Sequence, residues 1–154
     1  YNVSKLENIM EIEQIIELWD TDTNIDRTEL GDESIKIPKL HSKYYNILIK
    51  EKLVLRKYME DMKKLKLDKY EFFTQGPNEE TKDKGWRLPP KGMILKSDIP
   101  LYMDADNDII NMSLKIGMQQ EKIEFLDSVV KTIINRGYLI KSAIDWTKFT
   151  MGER

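Results

Sequence analysis

Apolar residues recur at every third or fourth position through residues 37–76, a stretch that has no Pro after Pro38 and no Gly before Gly76. A proline in the first turn and a closing glycine are typical helix boundaries, so the pattern predicts one helix of about ten turns. The predicted inward-facing line consists of His41, Tyr44, Leu48, Glu51, Leu55, Tyr58, Met62, Leu65, Lys69 and Phe72. Because most of these side chains are apolar or aromatic, this helix should pack against another along most of its length.

A shorter amphipathic helix is predicted before this long one. Ser4 and Glu7 form a capping-box pattern, and the apolar spacing after them continues to about Trp19. Residues 20–33 are rich in turn-forming residues and predict a connector with one short turn near residues 26–30.

The segment after Gly76 is predicted to be an exposed loop. Five Gly and Pro residues between positions 77 and 92 leave no room for a regular element, so the loop should extend to about residue 96, where Ser97 can cap a further helical turn. Trp86 and Arg87 could supply a stacking ring and a phosphate contact, or Trp86 could fold back as the anchor of the loop. Both interpretations of Trp86 are open.

The last third of the chain has an unusually wide apolar arc. Spacing predicts a helix from about Asp106 to Arg136, a stop at Gly137, and a final helix over residues 138–151. A small protein cannot cover so much apolar surface by itself, so we expect subunits to complete the coverage. The candidate oligomerisation residues are Ile116, Ile123, Leu126, Val130, Ile133, Ile140, Ile144 and Trp146.

Charge is strongly segregated along the chain. Residues 1–35 hold ten acidic and two basic side chains, whereas residues 36–69 hold eleven basic and four acidic ones, although the whole chain has a net charge of −2. The basic stretch could simply be a solvated helix face. Its position just before Tyr70, Phe72 and Phe73 favours a second interpretation, since lysines beside stackable rings are typical of single-stranded nucleic acid contacts.

Composition argues against several other classes. The chain has no Cys and one His, so thiolate zinc sites, disulfides and cysteine nucleophiles are excluded, and His41 alone makes neither a metal site nor a triad. Residues 104–108 superficially resemble a calcium loop, but Ile109 and Lys115 occupy positions where that loop needs Gly and Glu. We therefore expect these acids to cap a helix, and we expect no cofactor, no metal and no enzymatic activity. The acidic first residues lack a signal-peptide layout and no apolar run could span a membrane, so a cytosolic protein is the simplest interpretation.

Several stretches, in order, resemble the UvsY family of phage recombination mediators over residues 28–149. They are IKIPKLHSKYYNIL at residues 35–48, KYEFFTQG at 69–76, DADNDIINMSLKIG at 104–117 and INRGYLIKSAIDW at 134–146. The resemblance implies an all-helical protein without catalytic activity that assembles into a ring of six or seven subunits in the host cytoplasm. It also implies that the protein binds single-stranded DNA and helps the phage recombinase replace the single-strand binding protein.

The resemblance also implies where DNA is bound, because the family's DNA-binding element is a basic helix segment just before a paired-aromatic motif. The better-known members place two basic residues two apart there, whereas this chain has Lys66, Leu67, Asp68 and Lys69, so which lysine dominates is open. Together with the charge pattern, the candidate DNA-binding residues are Arg56, Lys57, Lys63, Lys64, Lys66, Lys69, Phe72 and Phe73.

These expectations divide the all-α chain into four segments. Residues 1–35 form an acidic helix and connector, 36–76 the basic DNA-binding helix, 77–96 the loop, and 97–154 the helices for the core and for oligomerisation. The alternative from a different functional class is a helical assembly or adaptor protein that has no nucleic-acid role.

Overall fold

A computed structural model describes residues 10–152, and every regular element in this range is a helix. The helices are α1 (Ile12–Asp22), α2 (Leu30–Ile35), α3 (Ile37–Gln75), α4 (Glu79–Asp83), α5 (Ile99–Asp104) and α6 (Asn107–Thr150). The chain forms two compact units, and α3 and α6 each contribute to both. Unit 1 contains the chain up to Val54 and from Gln120 onward, whereas unit 2 is Leu55–Gln119. None of the helices in the described range has the length and apolarity that a bilayer-spanning helix needs.

The predicted long helix is confirmed as α3, which ends where Gly76 adopts a φ of 86°. Its predicted inward-facing line is also confirmed, since Tyr44, Leu48 and Phe72 are at most 3% exposed. The two charged members of that line, Glu51 and Lys69, are buried as well, at 4% exposure each. Their burial shows that the spacing of the chain, rather than the polarity of single residues, decides which face of α3 points inward.

Unit 1 is built around apolar side chains of α1, α3 and α6. The buried cluster consists of Ile15, Tyr44, Leu48, Leu126, Val129, Val130 and Ile133. The two long helices are antiparallel here, because Glu51 of α3 binds Lys122 of α6 at 3.2 Å, whereas Ile37 at the start of α3 lies beside Gly137. The ring of Trp19 packs edge-on against Tyr44 at 5.2 Å and attaches α1 to the same core.

Arg136 connects α6 to the chain between α1 and α2. Its guanidinium donates to the carbonyl oxygens of Thr23 and Asn24 at 3.1 and 2.9 Å, and it binds Glu33 at 3.2 Å. These carbonyls follow the last turn of α1, where a cation is favourable. Because Arg136 is only 5% exposed, these three contacts lie in the interior of unit 1.

Unit 2 has a separate aromatic core. Phe72, Phe73 and Ile99 are buried, and the loop and α5 contribute Trp86, Leu88, Ile94, Tyr102 and Met103 around them. The expectation that residues 77–96 contain no regular element is wrong at α4. This helix forms because Asn78 and Thr81 cap each other: the Asn78 side chain accepts from the Thr81 N–H, and the Thr81 hydroxyl accepts from the Asn78 N–H, each at 2.8 Å.

The predicted stop at Gly137 is also wrong, since α6 continues through it to Thr150. Gly137 does not have a positive φ, and it lies inside the helix with Ile37 beside it. A glycine can end a helix, but it does not have to. Here Arg136 and Ile140, on either side of Gly137, are both buried, so the packing of α6 continues past the glycine.

The ends of the predicted short helices differ from the structure by several residues. The helix that was expected to begin at Ser4 and end near Trp19 is α1, which begins at Ile12 and ends at Asp22, while Ser4 and Glu7 lie outside the described residues. Glu11 caps α1 through a capping box with Gln14. The short turn expected near residues 26–30 is present, since the Glu29 N–H donates to the Asp26 carbonyl at 3.2 Å. The helix α2 follows it at Leu30–Ile35, inside the stretch that was expected to be a connector.

Candidate nucleic-acid interface

One face of α3 in unit 2 carries a line of exposed basic and stackable side chains. We define the basic ridge as Arg56, Met59, Lys63, Lys66 and Tyr70, which follow one another in steps of three or four residues and so share a helix face. All five are exposed, with Met59 at 42% and Tyr70 at 40%. At a rise of 1.5 Å per residue the ridge is about 21 Å long.

The cations of the basic ridge are available to a ligand. Lys63 contacts Glu60 at 2.8 Å, and the hydrogen bond from Lys63 holds the pKa of Glu60 below its ordinary value. Both side chains of this pair are mostly exposed, and such surface pairs contribute little, so Lys63 can exchange Glu60 for a phosphate. Within residues 10–152, Arg56 and Lys66 have no acidic partner within 4.0 Å.

Lys57 and Lys64 are exposed as well but lie on a different face of α3. They are seven residues apart, and Asp61 and Asp68 follow them at the i+4 position on the same face. Alternating signs make this face a weaker attractor for a polyanion than the basic ridge. Of the predicted DNA-binding cations, Arg56, Lys63 and Lys66 are therefore the ones that the helix gathers on one face.

The structure does not bring Lys69 to the surface. Its ammonium lies 2.9 Å from Asp106 Oδ2, 2.8 Å from Asp108 Oδ2 and 3.9 Å from the ring centre of Trp86. These contacts neutralise the charge of Lys69 inside unit 2. The predicted inward-facing line already contained Lys69, so the two sequence-based roles for this residue conflicted, and the packing role describes its position.

Phe72 and Phe73 are also buried, at 3% and 5% exposure. Their ring centres lie 5.4 Å apart, Phe72 contacts Trp86 at 5.6 Å, and Phe73 contacts Tyr102 at 6.4 Å. The paired-aromatic motif thus forms the core that attaches the loop and α5 to α3. Of the two interpretations of Trp86, the structure favours the anchor.

The ridge contains one ring that the candidate list omitted. Tyr70 is exposed and lies four residues after Lys66, whereas Phe72 and Phe73 are buried. The sequence itself indicates Tyr70, because a step of four residues from Lys66 stays on the helix face of Lys63 and Lys66.

Comparison with known proteins identifies the family. A family model described as "Recombination, repair and ssDNA binding protein UvsY" matches residues 18–153. The chain belongs to the UvsY family. No curated protein matches the sequence.

Two solved structures share the fold of this UvsY-family chain. One crystal structure of the bacteriophage T4 recombination mediator protein UvsY, in lattice type IV, superposes with a TM-score of 0.73 at 19% identity and covers 92% of this chain and 99% of its own. A second, in lattice type I, has a TM-score of 0.71 at 20% identity and covers 87% and 96% of the two chains. This chain thus has the same all-helical fold as the T4 protein.

The candidate oligomerisation residues of this UvsY-family chain do not share one environment. Leu126, Val130, Ile133 and Ile140 are buried within the single chain, at 7% exposure or less. Ile116, Ile123 and Ile144 are half-buried, and Trp146 is 66% exposed and stacks on the exposed Phe149 at 5.8 Å. Packing within the single chain therefore accounts for the burial of the first four residues.

Within residues 10–152 of this UvsY-family chain, no three His, Asp or Glu side chains are grouped for a metal ion. The ring of His41 stacks on Tyr45 at 5.5 Å with 17° between the planes. Asp106 caps α6, as predicted, since its Oδ1 accepts the backbone N–H groups of Asp108 and Ile109 at 3.0 and 3.1 Å.

Proposed function

We propose that this UvsY-family chain is a recombination mediator without catalytic activity, which binds single-stranded DNA through the basic ridge. In this role it helps a phage recombinase replace single-strand binding protein on DNA in the host cytoplasm. The observation that carries the proposal is the gathering of Arg56, Lys63 and Lys66 on one exposed face with Tyr70 at its end. The family match and the shared fold of the T4 recombination mediator support the same role.

The ridge suits a flexible single strand better than a folded protein surface. Basic side chains gain affinity for a strand mainly by releasing its condensed counterions, which needs several cations in a row and little shape complementarity. Arg56, Lys63 and Lys66 supply the cations, and the exposed ring of Tyr70 can stack on a base of any identity. Binding should therefore be independent of sequence and should weaken steeply with added salt.

One subunit offers few contacts, so we propose that a ring of six or seven subunits supplies the rest. Each additional ridge on the same strand would bind at a high effective concentration, which raises the overall affinity without strengthening any single contact. Exposed apolar side chains near the end of α6, including Tyr138, Trp146 and Phe149, are 66–74% exposed and provide a surface for this assembly. Light scattering with and without an oligonucleotide measures the assembly.

The proposal is tested with the anisotropy of a labelled oligothymidine across a range of salt concentrations. The variant replaces Arg56, Lys63 and Lys66 by Gln, and the matched control replaces Lys131, Lys141 and Lys148, three exposed lysines of α6, by Gln. Each lost phosphate contact should lower the slope of log affinity against log salt by about 0.7, so the ridge variant should lose about two. The control should keep both its slope and its affinity.

A helical adaptor without a nucleic-acid role predicts a different result. In that case the intact chain would not bind the oligonucleotide at low salt, or the ridge variant and the control would bind it equally. A recombinase-loading assay then tests the mediator role separately, because an adaptor could assemble normally and still fail to accelerate replacement of single-strand binding protein.

A further inference from the structure

A second exposed surface of unit 2 lies on the segment between α4 and α5 and on the first turn of α5. Met93, Leu95 and Leu101 are 70%, 71% and 70% exposed, which is unusual for large apolar side chains so close together in the chain. Backbone hydrogen bonds link Leu95 and Leu101 through Asp98, since the Asp98 N–H donates to the Leu95 carbonyl at 2.8 Å and the Leu101 N–H donates to the Asp98 carbonyl at 3.1 Å. We call Met93, Leu95 and Leu101 the loop patch.

The segment that carries the loop patch is fixed on the aromatic core. Leu88 and Ile94 pack against the cluster of Phe72, Phe73 and Ile99, so the neighbours of Ile94 in the chain, Met93 and Leu95, point away from it. A turn in which Gly92 N–H donates to the Pro89 carbonyl at 2.9 Å fixes the approach to Met93.

Trp86 adds a second attachment for the same segment. The ammonium groups of Lys69 and Lys84 both lie over its ring, at 3.9 and 5.0 Å from the ring centre. Because the backbone is already held in place, a partner would lose little chain entropy by binding here.

Cations predominate beside Met93 and Leu95, whereas the exposed acids Asp98 and Asp104 lie beside Leu101. Arg87, Lys91 and Lys96 are exposed, and residues 86–97 contain no Asp or Glu. Within the described part of the chain, none of these three cations has an acidic partner within 4.0 Å. An occupant of this surface therefore gains from negative charge as well as from apolar side chains.

We propose that the loop patch and its three cations bind an acidic, extended segment of a partner protein that carries apolar side chains between its carboxylates. Single-stranded DNA fits this surface less well, because Met and Leu side chains offer no ring for base stacking and the nearby Trp86 ring is already covered by two lysines. This inference goes beyond the proposed DNA contact and does not depend on it, since none of its residues belongs to the basic ridge.

The probe is a fluorescein-labelled twelve-residue peptide in which Asp and Glu alternate with Leu and Phe, and its anisotropy is measured on the full chain. Replacing Met93 and Leu95 by Ser should weaken binding by about tenfold or more, as expected for the anchors of a small interface. The matched control replaces Ile35 and Leu67, two apolar side chains that are 78% and 57% exposed elsewhere, by Ser, and it should bind unchanged.

A charge exchange tests the second half of the proposal. Lys91→Glu with Lys96→Glu should abolish binding of the acidic peptide and create binding of the same peptide with Lys in place of Asp and Glu. A peptide with Ser in place of Leu and Phe should bind about tenfold more weakly than the parent peptide. Equal binding of that peptide would overturn the proposal, because charge alone would then explain the contact.

Two further measurements separate the other possible occupants. If the Met93 and Leu95 variant lost oligothymidine affinity while its peptide affinity stayed unchanged, the surface would be a nucleic-acid site and the proposal would be wrong. If the variant had fewer subunits by light scattering, the surface would be an interface between copies of this chain and the proposal would again be wrong. Failure of DNA binding by the ridge would leave the peptide result unaffected, so the two proposals are tested separately.

Discussion

The ammonium of Lys69 and the carboxylate of Asp106 form a 2.9 Å ion pair in the interior of unit 2, where the Lys69 side chain is 5% and the Asp106 side chain 12% exposed. Lys66, only three residues earlier on the same helix, is exposed and has no acidic partner among the described residues. Neighbouring lysines of one basic segment thus have different roles, the first available to a ligand and the second committed to the fold.

Substitution of the two lysines should separate these roles. Lys69→Met should lower the free energy of unfolding by about 3 kcal/mol, because it leaves the carboxylates of Asp106 and Asp108 together without their cation. Lys66→Met should change stability by less than about 0.5 kcal/mol but lower the salt slope of oligothymidine binding by about 0.7. Urea unfolding and anisotropy measure the two quantities. A Lys69→Met protein of unchanged stability would contradict the structural role.

The buried pair of Glu51 and Lys122 in unit 1 should behave in the same manner. Their side chains are 5% and 8% exposed at an N–O distance of 3.2 Å. Glu51→Leu should cost about 3–5 kcal/mol, since the Lys122 ammonium loses its carboxylate, whereas adding Lys122→Met should restore most of that loss. Thermal or urea unfolding of the single and double variants gives the coupling energy, and additive effects of the two substitutions would contradict the expectation.

Gly137→Ala should stabilise the protein by up to about 1 kcal/mol, because alanine is the better helix former. A Cβ at position 137 would meet Ile37 Cδ1 at 3.9 Å, an ordinary van der Waals distance, and the position is inside α6. Gly76→Ala is the matched comparison and should destabilise, since its φ of 86° strains any residue that has a Cβ. Equal effects of the two substitutions on the unfolding midpoint would argue against a continuous α6.

Acid should weaken the attachment of α1 to α3. Burial raises the pKa of Asp22, but hydrogen bonds from Lys43 at 2.6 Å and Tyr44 at 2.9 Å outweigh it, so the pKa lies below the ordinary 3.8. A carboxyl whose pKa is lowered by folding stabilises the fold above its unfolded pKa and loses that contribution as the pH falls through the folded pKa. The free energy of unfolding should therefore fall below about pH 4, and Asp22→Asn should remove part of this dependence. Urea unfolding at pH 3 to 7 measures it.

Alkali should weaken the same contact between Asp22 and Tyr44, because Tyr44 loses its proton. Burial, followed by the hydrogen bond and the charge of Asp22, raises the pKa of Tyr44 well above its usual value. A tyrosine that binds its proton more tightly in the folded state loses stability as the pH rises above its unfolded pKa of about 10. Tyr44→Phe should remove this alkaline decline in the free energy of unfolding, as urea unfolding at pH 8 to 11 would measure. The acid decline should remain, because Asp22 keeps its hydrogen bond from Lys43.

The features of the fold that depend on spacing could be predicted from the sequence. Both ends of α3 follow from Pro38 and Gly76, and its inward-facing line follows from steps of three and four residues, including the buried Glu51 and Lys69. Spacing also placed Leu126 and Ile133 among the apolar residues of the last long helix, although they were assigned to contacts between subunits and lie in the core of the single chain. Periodicity reports which face of a helix is buried without any knowledge of the partner.

Features that depend on one specific tertiary or capping contact were not predicted. Whether Gly137 ends a helix depends on packing around Ile37, one hundred residues earlier in the chain. The removal of Lys69 from the candidate interface depends on Asp106 and Asp108, far along the chain on α6. The five residues of α4 form because of mutual caps by Asn78 and Thr81 in a stretch that composition marks as a loop. In each case a specific tertiary or capping contact outweighs the local propensity.

The three tryptophans offer built-in fluorophores with distinct surroundings. Trp19 lies against Tyr44 in one unit, Trp86 has two lysine ammonium groups over its ring in the other, and Trp146 is 66% exposed near the end of α6. Versions of the chain that retain a single indole would report separately on the melting of each unit and on anything that covers the last turns of α6. The chain can therefore be followed spectroscopically without an attached dye.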